Sequence, residues 1–295
     1  MPENKEKTKL LISIVSYNSL NYVLDLLQSI KENPPGFSCR TVVVDNASSD
    51  GTAEYISSRY RWVELIAGTE NIGFAAANNK VVKAFDSDYI ILINSDCQVY
   101  PGAVKGLIDF LESQEEAAIA GPKIINSDGT LQPSCRRFPS MFNAALHSLL
   151  VAVYPNNPFT RGYKLEGMDK SRPLTVDWVS GSCMAIRRQA LDQVGLLDEK
   201  YFMYVEDLDL CYRMWKKGWK VYYYPYSQVL HHVGGSSRGR DIRASFRMQK
   251  SVFYFYLKHH RNNWRVIFLP LLLMVLVLRF LFTFFKKIFT KSSGV

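Results

Sequence analysis

Cysteine is scarce in this chain of 295 residues, and its placement excludes two structural classes. The cysteines at 39, 97, 135, 183 and 211 are odd in number and far apart, with no CxxC pair and no Cys/His cluster. Neither a zinc site nor a disulfide framework is expected, and a reducing compartment fits. Also missing are GxGxxG and GxxxxGK[ST], so neither glycine-rich phosphate cradle is supported. No internal repeat or low-complexity run is present. The start, MPENKEKTKL, is charged and leads straight into a strand, which is not the pattern of a secretory signal. Acid is almost absent from the tail. From Ser236 onward stand twelve of the 36 Lys and Arg but one of the 27 acids, Asp241, so the tail carries +11 and the rest of the chain −2.

What is present suits a folded α/β protein with an appendage. Hydrophobic residues make up 47% and aromatics 13%, enough for a substantial core. Residues 266–285, VIFLPLLLMVLVLRFLFTFF, are long enough to cross a bilayer, although Arg279 interrupts them and Pro270 would disturb the helix. Arg279 could snorkel to the interface. The basic run ahead of it (Arg238, Arg240, Arg243, Arg247, Lys250, Lys258, Arg261, Arg265) suits anionic headgroups. A basic cluster can also signal nucleic acid, but no nucleic-acid motif accompanies it, so a membrane surface is expected and nucleic acid is not. Aromatics at Phe246, Phe253, Phe255 and Tyr256 could pair with another chain as a homo-oligomer.

The first 125 residues alternate strand and helix. Strands are expected at 10–18, 40–45, VELIAG, 89–96 and AAIAGPKI. Helices are expected at Leu20–Ile30, Thr52–Tyr60, after NIG, and after Pro101. That order predicts a mostly parallel sheet with helices on both faces. Residues 126–175 read as loops around a short helix near 141–153. Beyond them come a strand and turn, an acidic turn, a helix closed by Gly218 and an aromatic strand.

Polar residues gather where strands end, the edge at which open α/β sheets bind ligands. Asp45 ends the second strand and Asn94, Ser95 and Asp96 the fourth. Asn71 and Gly73 open a helix whose free N–H groups could face a diphosphate. Glu206, Asp207 and Asp209 open a later helix, and His231 and His232 follow the aromatic strand. Each has a duller explanation as turn former, N-cap or loop residue.

Six segments stand together in order: SIVSYNS, VVVDNASSDGT, NIGFAAANN, NSDCQVYPGAV, WVSGSCMAIRR and YFMYVEDLDLCYRMWKKGWK. Over about residues 10–240 the chain resembles family-2 glycosyltransferases of the GT-A fold, in the rhamnosyltransferase-like branch that builds bacterial surface polysaccharides. The resemblance implies a Rossmann-like mixed sheet. It implies a catalytic domain over 1–240, with a nucleotide-sugar half at about 10–125 and an acceptor half at about 126–240. Residues 241–295 would be basic and hydrophobic membrane-binding helices. It further implies inverting transfer from a nucleotide-diphosphate sugar, dTDP-L-rhamnose above UDP sugars, to a polyprenyl-diphosphate-linked saccharide. The cytoplasmic face of the membrane is the implied location.

By the same resemblance Ser16, Tyr17, Asn18 and Asp45 would hold the nucleoside. The triplet Asn94, Ser95 and Asp96 would place Mg²⁺ or Mn²⁺ on the diphosphate, and His231, with His232 as the alternative, would complete that contact. Asp207 would be the general base, its proton affinity raised by repulsion from Glu206. Trp178 and Gly181 would suit the acceptor, and Arg136 the donor phosphates. The competing reading is a non-catalytic nucleotide-sugar scaffold; retention of Asp96, Asp207 and His231 together argues against it.

Overall fold

Three apolar runs decide the architecture. LLISI, TVVV and YIILI are rich in β-branched residues and leucine, and each is too continuous for a strand with one wet face. In a computed structural model describing residues 7–140, 154, 157–232 and 242–292, with side chains to 284, they form the centre of a twisted sheet. The predicted helix at 141–153, with Arg238 and Arg240, lies outside the described residues.

In chain order the elements begin β1 (Thr8–Ser16), α1 (Leu20–Glu32), β2 (Cys39–Asp45), α2 (Thr52–Arg59), β3 (Val63–Ala67), α3 (Phe74–Ala84) and β4 (Ser87–Asn94). Then follow β5 (Cys97–Val99), α4 (Ala103–Ser113), β6 (Ala117–Asn126), β7 (Cys135–Arg136) and α5 (Pro158–Tyr163). The chain continues through β8 (Leu174–Thr175), β9 (Trp178–Val179), β10 (Cys183–Arg187), α6 (Arg188–Val194), α7 (Glu206–Lys216) and β11 (Lys220–His231). Last come α8 (Ile242–His260), a 3₁₀ turn at Trp264–Phe268 and α9 (Leu269–Ser292).

Among the described residues the main sheet runs β3-β2-β1-β4-β10-β6-β11-β5, with β8 on the edge of β11, and β7 pairs β9 in a separate ribbon. The first four strands are parallel, β10 is antiparallel to β4 and β6, and β5 is antiparallel to β11. The sheet is therefore mixed. Chain order reverses between β1 and β4, and at such a point the helices diverge and leave a crevice at the strands' carboxyl ends. Register lines up Ser16 with Asp45 and Val15 with Asn94 along that edge.

Helices close both faces. On one, α1 buries Val23, Leu26, Leu27 and Ile30 and α4 buries Val104, Leu107, Ile108 and Leu111 in a single core, each set a helical stripe. On the other, Val82 of α3, Leu191 of α6 and Leu210 of α7 lie against Ile90, Leu92 and Ile186 of the sheet. Each such side chain contributes about 1.5–3 kcal/mol by leaving water. The elements that periodicity missed are short: β5, β7, α5 and α6 have two to seven residues, too few to show a period.

By compactness the described residues form two units, one drawn from 1–136, 169–202 and 206–237, the other from 137–168, 203–205 and 238–295. The first contains the sheet. In the second, α9 packs beside α8, and the Tyr256 hydroxyl of α8 donates to the Pro139 carbonyl at 2.7 Å. Pro270 falls in the first turn of α9, where its missing N–H breaks no helical bond, so it starts that helix and does not disturb it. The half-buried Arg279 falls on the side of α9 that holds the buried Leu272, Val275 and Leu276, not on its exposed side.

Candidate active site

Asp96 follows β4 in a two-residue turn that β5 prolongs, and it is 2% exposed. His231 ends β11, in register with Cys97 on one side and Asn126 on the other. Its Nε2 lies 3.2 Å from Asp96 Oδ1. Its Nδ1 lies 2.9 Å from Gln132 Oε1; in the tautomer that carries its proton on Nδ1, Gln132 accepts it and Nε2 keeps a lone pair for an ion. Successive strand residues face opposite ways, and His232 accordingly points elsewhere. Its Nδ1 meets Ser127 Oγ at 2.8 Å, its Nε2 lies 3.4 Å from Gln98, and its ring lies beside Tyr22.

Asp96, Cys97 and His231 bring ligand-type atoms within 4.8 Å of one another. Cys97 is a poor third donor, because burial drives its pKa well up and keeps the thiol protonated, aimed at the Ser182 carbonyl. The carboxylate and imidazole fit a divalent ion. Two donors about 2.1 Å from one ion at a right angle stand about 3.0 Å apart, close to the spacing seen, and a carboxylate with few protein partners suits Mg²⁺ or Mn²⁺ when a diphosphate supplies oxygens. Gln132 is the outer partner that fixes such an imidazole. It sits in the loop-rich 126–175 stretch, where no sequence signal marked it.

Ser16 and Ser95 are already engaged. Ser16 Oγ lies 2.9 Å from Ser19 Oγ, and Ser19 Oγ lies 2.9 Å from Ser95 Oγ, a buried chain of hydroxyls joining the ends of β1 and β4. Ser19, missed in the sequence, is its centre. Asn94 is held by its backbone, whose N–H donates to Ser182. Asn18, at φ 50, accepts from the Ser49 N–H at 2.8 Å and so ties the β1 loop to the DNASSDGT turn. Asp50 in that turn accepts from Leu20 N–H and from Thr52, capping α1 and α2 together; Asp-Gly-Thr ahead of a helix was its signal. Tyr17 stands 44% exposed at the rim. Asp45 is buried; its Oδ2 accepts from Ser48 N–H at 3.1 Å, and its Oδ1 has no hydrogen-bond partner. A buried carboxylate oxygen left open is costly unless a ligand donates to it.

The start of α3 corrects one expectation. Its amides do not stand free. Ile72 N–H donates to Asn46 Oδ1, Gly73 N–H to Asn71 Oδ1, and Phe74 N–H to the Phe202 carbonyl. Asn71 thus braces the turn through its side chain, and the Gly73 N–H is already engaged. Gly73 has φ +85, and a Cβ there would fall inside contact distance of the Phe202 carbonyl oxygen. Gly73→Ala should therefore lower stability by about 2–4 kcal/mol, read from denaturant midpoints at unchanged slope.

Asp207 opens the second half of the site. It is half-buried at the first turn of α7, just after Tyr204 and Val205, whose φ values of 72 and 74 are left-handed. A valine holds that conformation only where the surroundings enforce it. Asp207 Oδ2 accepts from Gly181 N–H at 2.8 Å and Oδ1 from Leu208 N–H at 2.8 Å. Burial raises its pKa against the pull of those donors and of the Arg136 charge. Glu206, buried, is raised well above its ordinary value by burial first and by Asp207 second, and its Oε2 has no hydrogen-bond partner. Burial is the first cause of the rise at both acids.

Gly181 and Trp178 do different work from that expected. A Cβ at Gly181 would press on Asp207 Cβ at 3.2 Å, so this glycine lets the carboxylate dock on its N–H and leaves no space for a sugar. Trp178 is 5% exposed, and β7 lays the Arg136 guanidinium over its ring at 4.8 Å. That face is covered. Arg136 bears on the site through Asp207.

A crevice at the carboxyl edge of a mixed sheet, with a carboxylate–imidazole pair on one strand end and an acid pair on a helix start, is the arrangement of a GT-A glycosyltransferase. The chain belongs to glycosyl transferase family 2, whose model matches residues 11–195. It is 37% identical over 237 residues to the N-acetylglucosaminyl-diphospho-decaprenol L-rhamnosyltransferase of Mycobacterium tuberculosis, covering 76% of each chain. It is 26% identical to rhamnosyltransferase WbbL of Escherichia coli, covering 85% of this chain and 93% of that one. Its fold matches the crystal structure of GalNAc-T7 with UDP, GalNAc and Mn²⁺ at a TM-score of 0.60 and 17% identity, covering 86% of this chain and 48% of that one.

Proposed function

We propose that this family-2 enzyme transfers L-rhamnose from dTDP-L-rhamnose, with inversion, to a polyprenyl-diphosphate-linked saccharide at the cytoplasmic face of a membrane. The observation that carries the chemistry is Asp207, a carboxylate fixed by two backbone N–H groups and raised in pKa by burial beside a second buried acid. The choice of sugar and acceptor is supported by the relatives named for rhamnosyl transfer, one of them to a diphospho-decaprenol. A UDP-sugar donor is the second reading.

In this reading Tyr17 and Asn18 bound the nucleoside, and the open Oδ1 of Asp45 accepts from it. Asp96 and His231 would hold Mg²⁺ or Mn²⁺, which when bound offsets the charge of the departing diphosphate. Asp207 takes the proton of the acceptor hydroxyl as that oxygen bonds to C1 and the bond from C1 to the diphosphate oxygen breaks. Burial favours the neutral form of Glu206, which limits negative charge beside the incoming hydroxyl. The domain role of residues 1–240 as the catalytic part, and of 241–295 as the membrane-binding part, belongs to the same proposal.

The test is a donor panel on the purified full chain with Mn²⁺ and a polyprenyl-diphosphate N-acetylglucosamine acceptor, reading nucleoside diphosphate release. dTDP-L-rhamnose should turn over, and UDP sugars and GDP-mannose should not; turnover of a UDP sugar alone would replace the donor assignment. Asp96→Ala should weaken Mn²⁺-dependent donor binding about 10- to 100-fold in calorimetry and leave the metal-free titration unchanged.

A further inference from the structure

Residues Trp264–Phe284 contain an 18-residue window of mean hydropathy 2.6, enough by length and composition to cross a bilayer. This segment is half of a hairpin. The Phe246 ring, near the start of α8, meets the Phe280 ring of α9 edge-on at 5.8 Å. Both lie the same number of residues from Asn263, so α8 and α9 run antiparallel, side by side. Leu269, Leu272, Val275 and Leu276 are buried along one side of α9, whereas Leu271, Leu273, Met274, Val277, Leu278 and Phe282 are 45–53% exposed along the other. At 100° per residue those six fall within about half of the helix circumference. α8 is of opposite character. It buries Phe255 and Tyr256 and exposes Arg243, Arg247 and Lys250, with Arg261 exposed just past its end.

We infer that the α8–α9 hairpin lies in the plane of an anionic membrane surface, α9 sunk by its exposed apolar side and α8 presenting its cations to the headgroups, and that α9 does not cross the bilayer. The inference rests on the membrane placement proposed above and specifies its mode. Were α9 to span, α8 would be carried in beside it. The register through Phe246 and Phe280 sets Met274, at the middle of the apolar segment Trp264–Phe284, opposite Val252, one turn or less from Lys250. An exposed lysine would then sit at mid-bilayer with Arg247 nearby, and charged groups at that depth are strongly disfavoured. Lying in the interface, the same groups keep water and gain anionic headgroups, while the apolar side of α9 leaves water. A second copy of the chain is the poorer occupant, since pairing through this surface would bring two cationic α8 helices together.

The experiment uses the full chain with a protease-cleavable tag after Val295. The protein is floated with phosphatidylcholine vesicles with and without phosphatidylglycerol, and tag cleavage is followed in inverted membrane vesicles and in spheroplasts. Expected are flotation that needs phosphatidylglycerol, a loss of about tenfold or more in bound fraction for R247E/K250E, and cleavage in inverted vesicles, where the catalytic part is also exposed. Cleavage only in spheroplasts, with flotation indifferent to lipid charge, overturns the in-plane hairpin while leaving the membrane placement standing. Failure to float on either lipid, with a dimer in sedimentation, overturns the membrane placement itself. Donor turnover by R247E/K250E in detergent controls for folding, because neither residue belongs to the proposed active site.

Discussion

Asp207→Asn should lower kcat by about 10²- to 10⁴-fold while changing donor affinity little, the range expected when a positioned base is removed. The argument starts from backbone geometry. Gly181 N–H and Leu208 N–H fix both carboxylate oxygens, so the group cannot rotate away from an acceptor. Asparagine keeps the shape and one of the two bonds, so the fold should survive, with a cost on the order of 1 kcal/mol for the lost acceptor. The pH profile carries the sign. Asp207 acts only when ionised, and its pKa is raised above the 3.8 of an unperturbed aspartate. Turnover should therefore fall as pH falls through that raised value, and the acid limb should vanish from whatever residual rate the asparagine variant retains. Glu206→Gln discriminates further. Glu206 is raised by burial first and by the Asp207 charge second, whereas burial is the first cause at Asp207. The limb belonging to Asp207 should stay nearly in place in that variant. A limb that moves well down in pH would mean that Glu206 repulsion, and not burial, sets the base.

What the sequence made legible follows from which forces are local. The strands at 10–18, 40–45 and 89–96 could be read because a strand buried on both faces writes its burial into consecutive residues. The family resemblance could be read because six segments keep their order along the chain. The choice between His231 and His232 could not. It depends on the phase with which β11 pairs β5 and β6, and a one-residue slip would exchange the two rings. The covered face of Trp178 was hidden for a related reason, since Arg136 reaches it through the pairing of two-residue strands. The hydroxyl chain through Ser19 spans 76 residues between Ser19 and Ser95, beyond any local pattern. Gly181 suits an acceptor on the sequence alone because a sequence shows that a Cβ is missing without showing that Asp207 fills its place.

The other large effect lies beside the site and concerns stability. Arg213→Met should cost about 3–5 kcal/mol, the range for removing one partner of a buried ion pair. Asp209, one turn into α7 and 0% exposed, accepts from Arg213 Nε at 2.8 Å and from the Tyr201 hydroxyl at 3.3 Å. The same guanidinium donates to the carbonyls of Val194, Gly195 and Leu196 at 2.7–2.8 Å, closing the loop that follows α6. Methionine fills much of the volume but leaves a buried carboxylate without its cation and three carbonyls without their donor. The double variant D209L/R213M separates the terms. If the uncompensated charge dominates, the double variant should recover much of the loss, because a buried pair replaced by apolar side chains is often near neutral. If the clamp on residues 194–196 dominates, the double variant should be as unstable as R213M. Denaturant midpoints at constant slope would decide, and the answer bears on catalysis, since Asp207 sits on the first turn of the helix that Arg213 ties down.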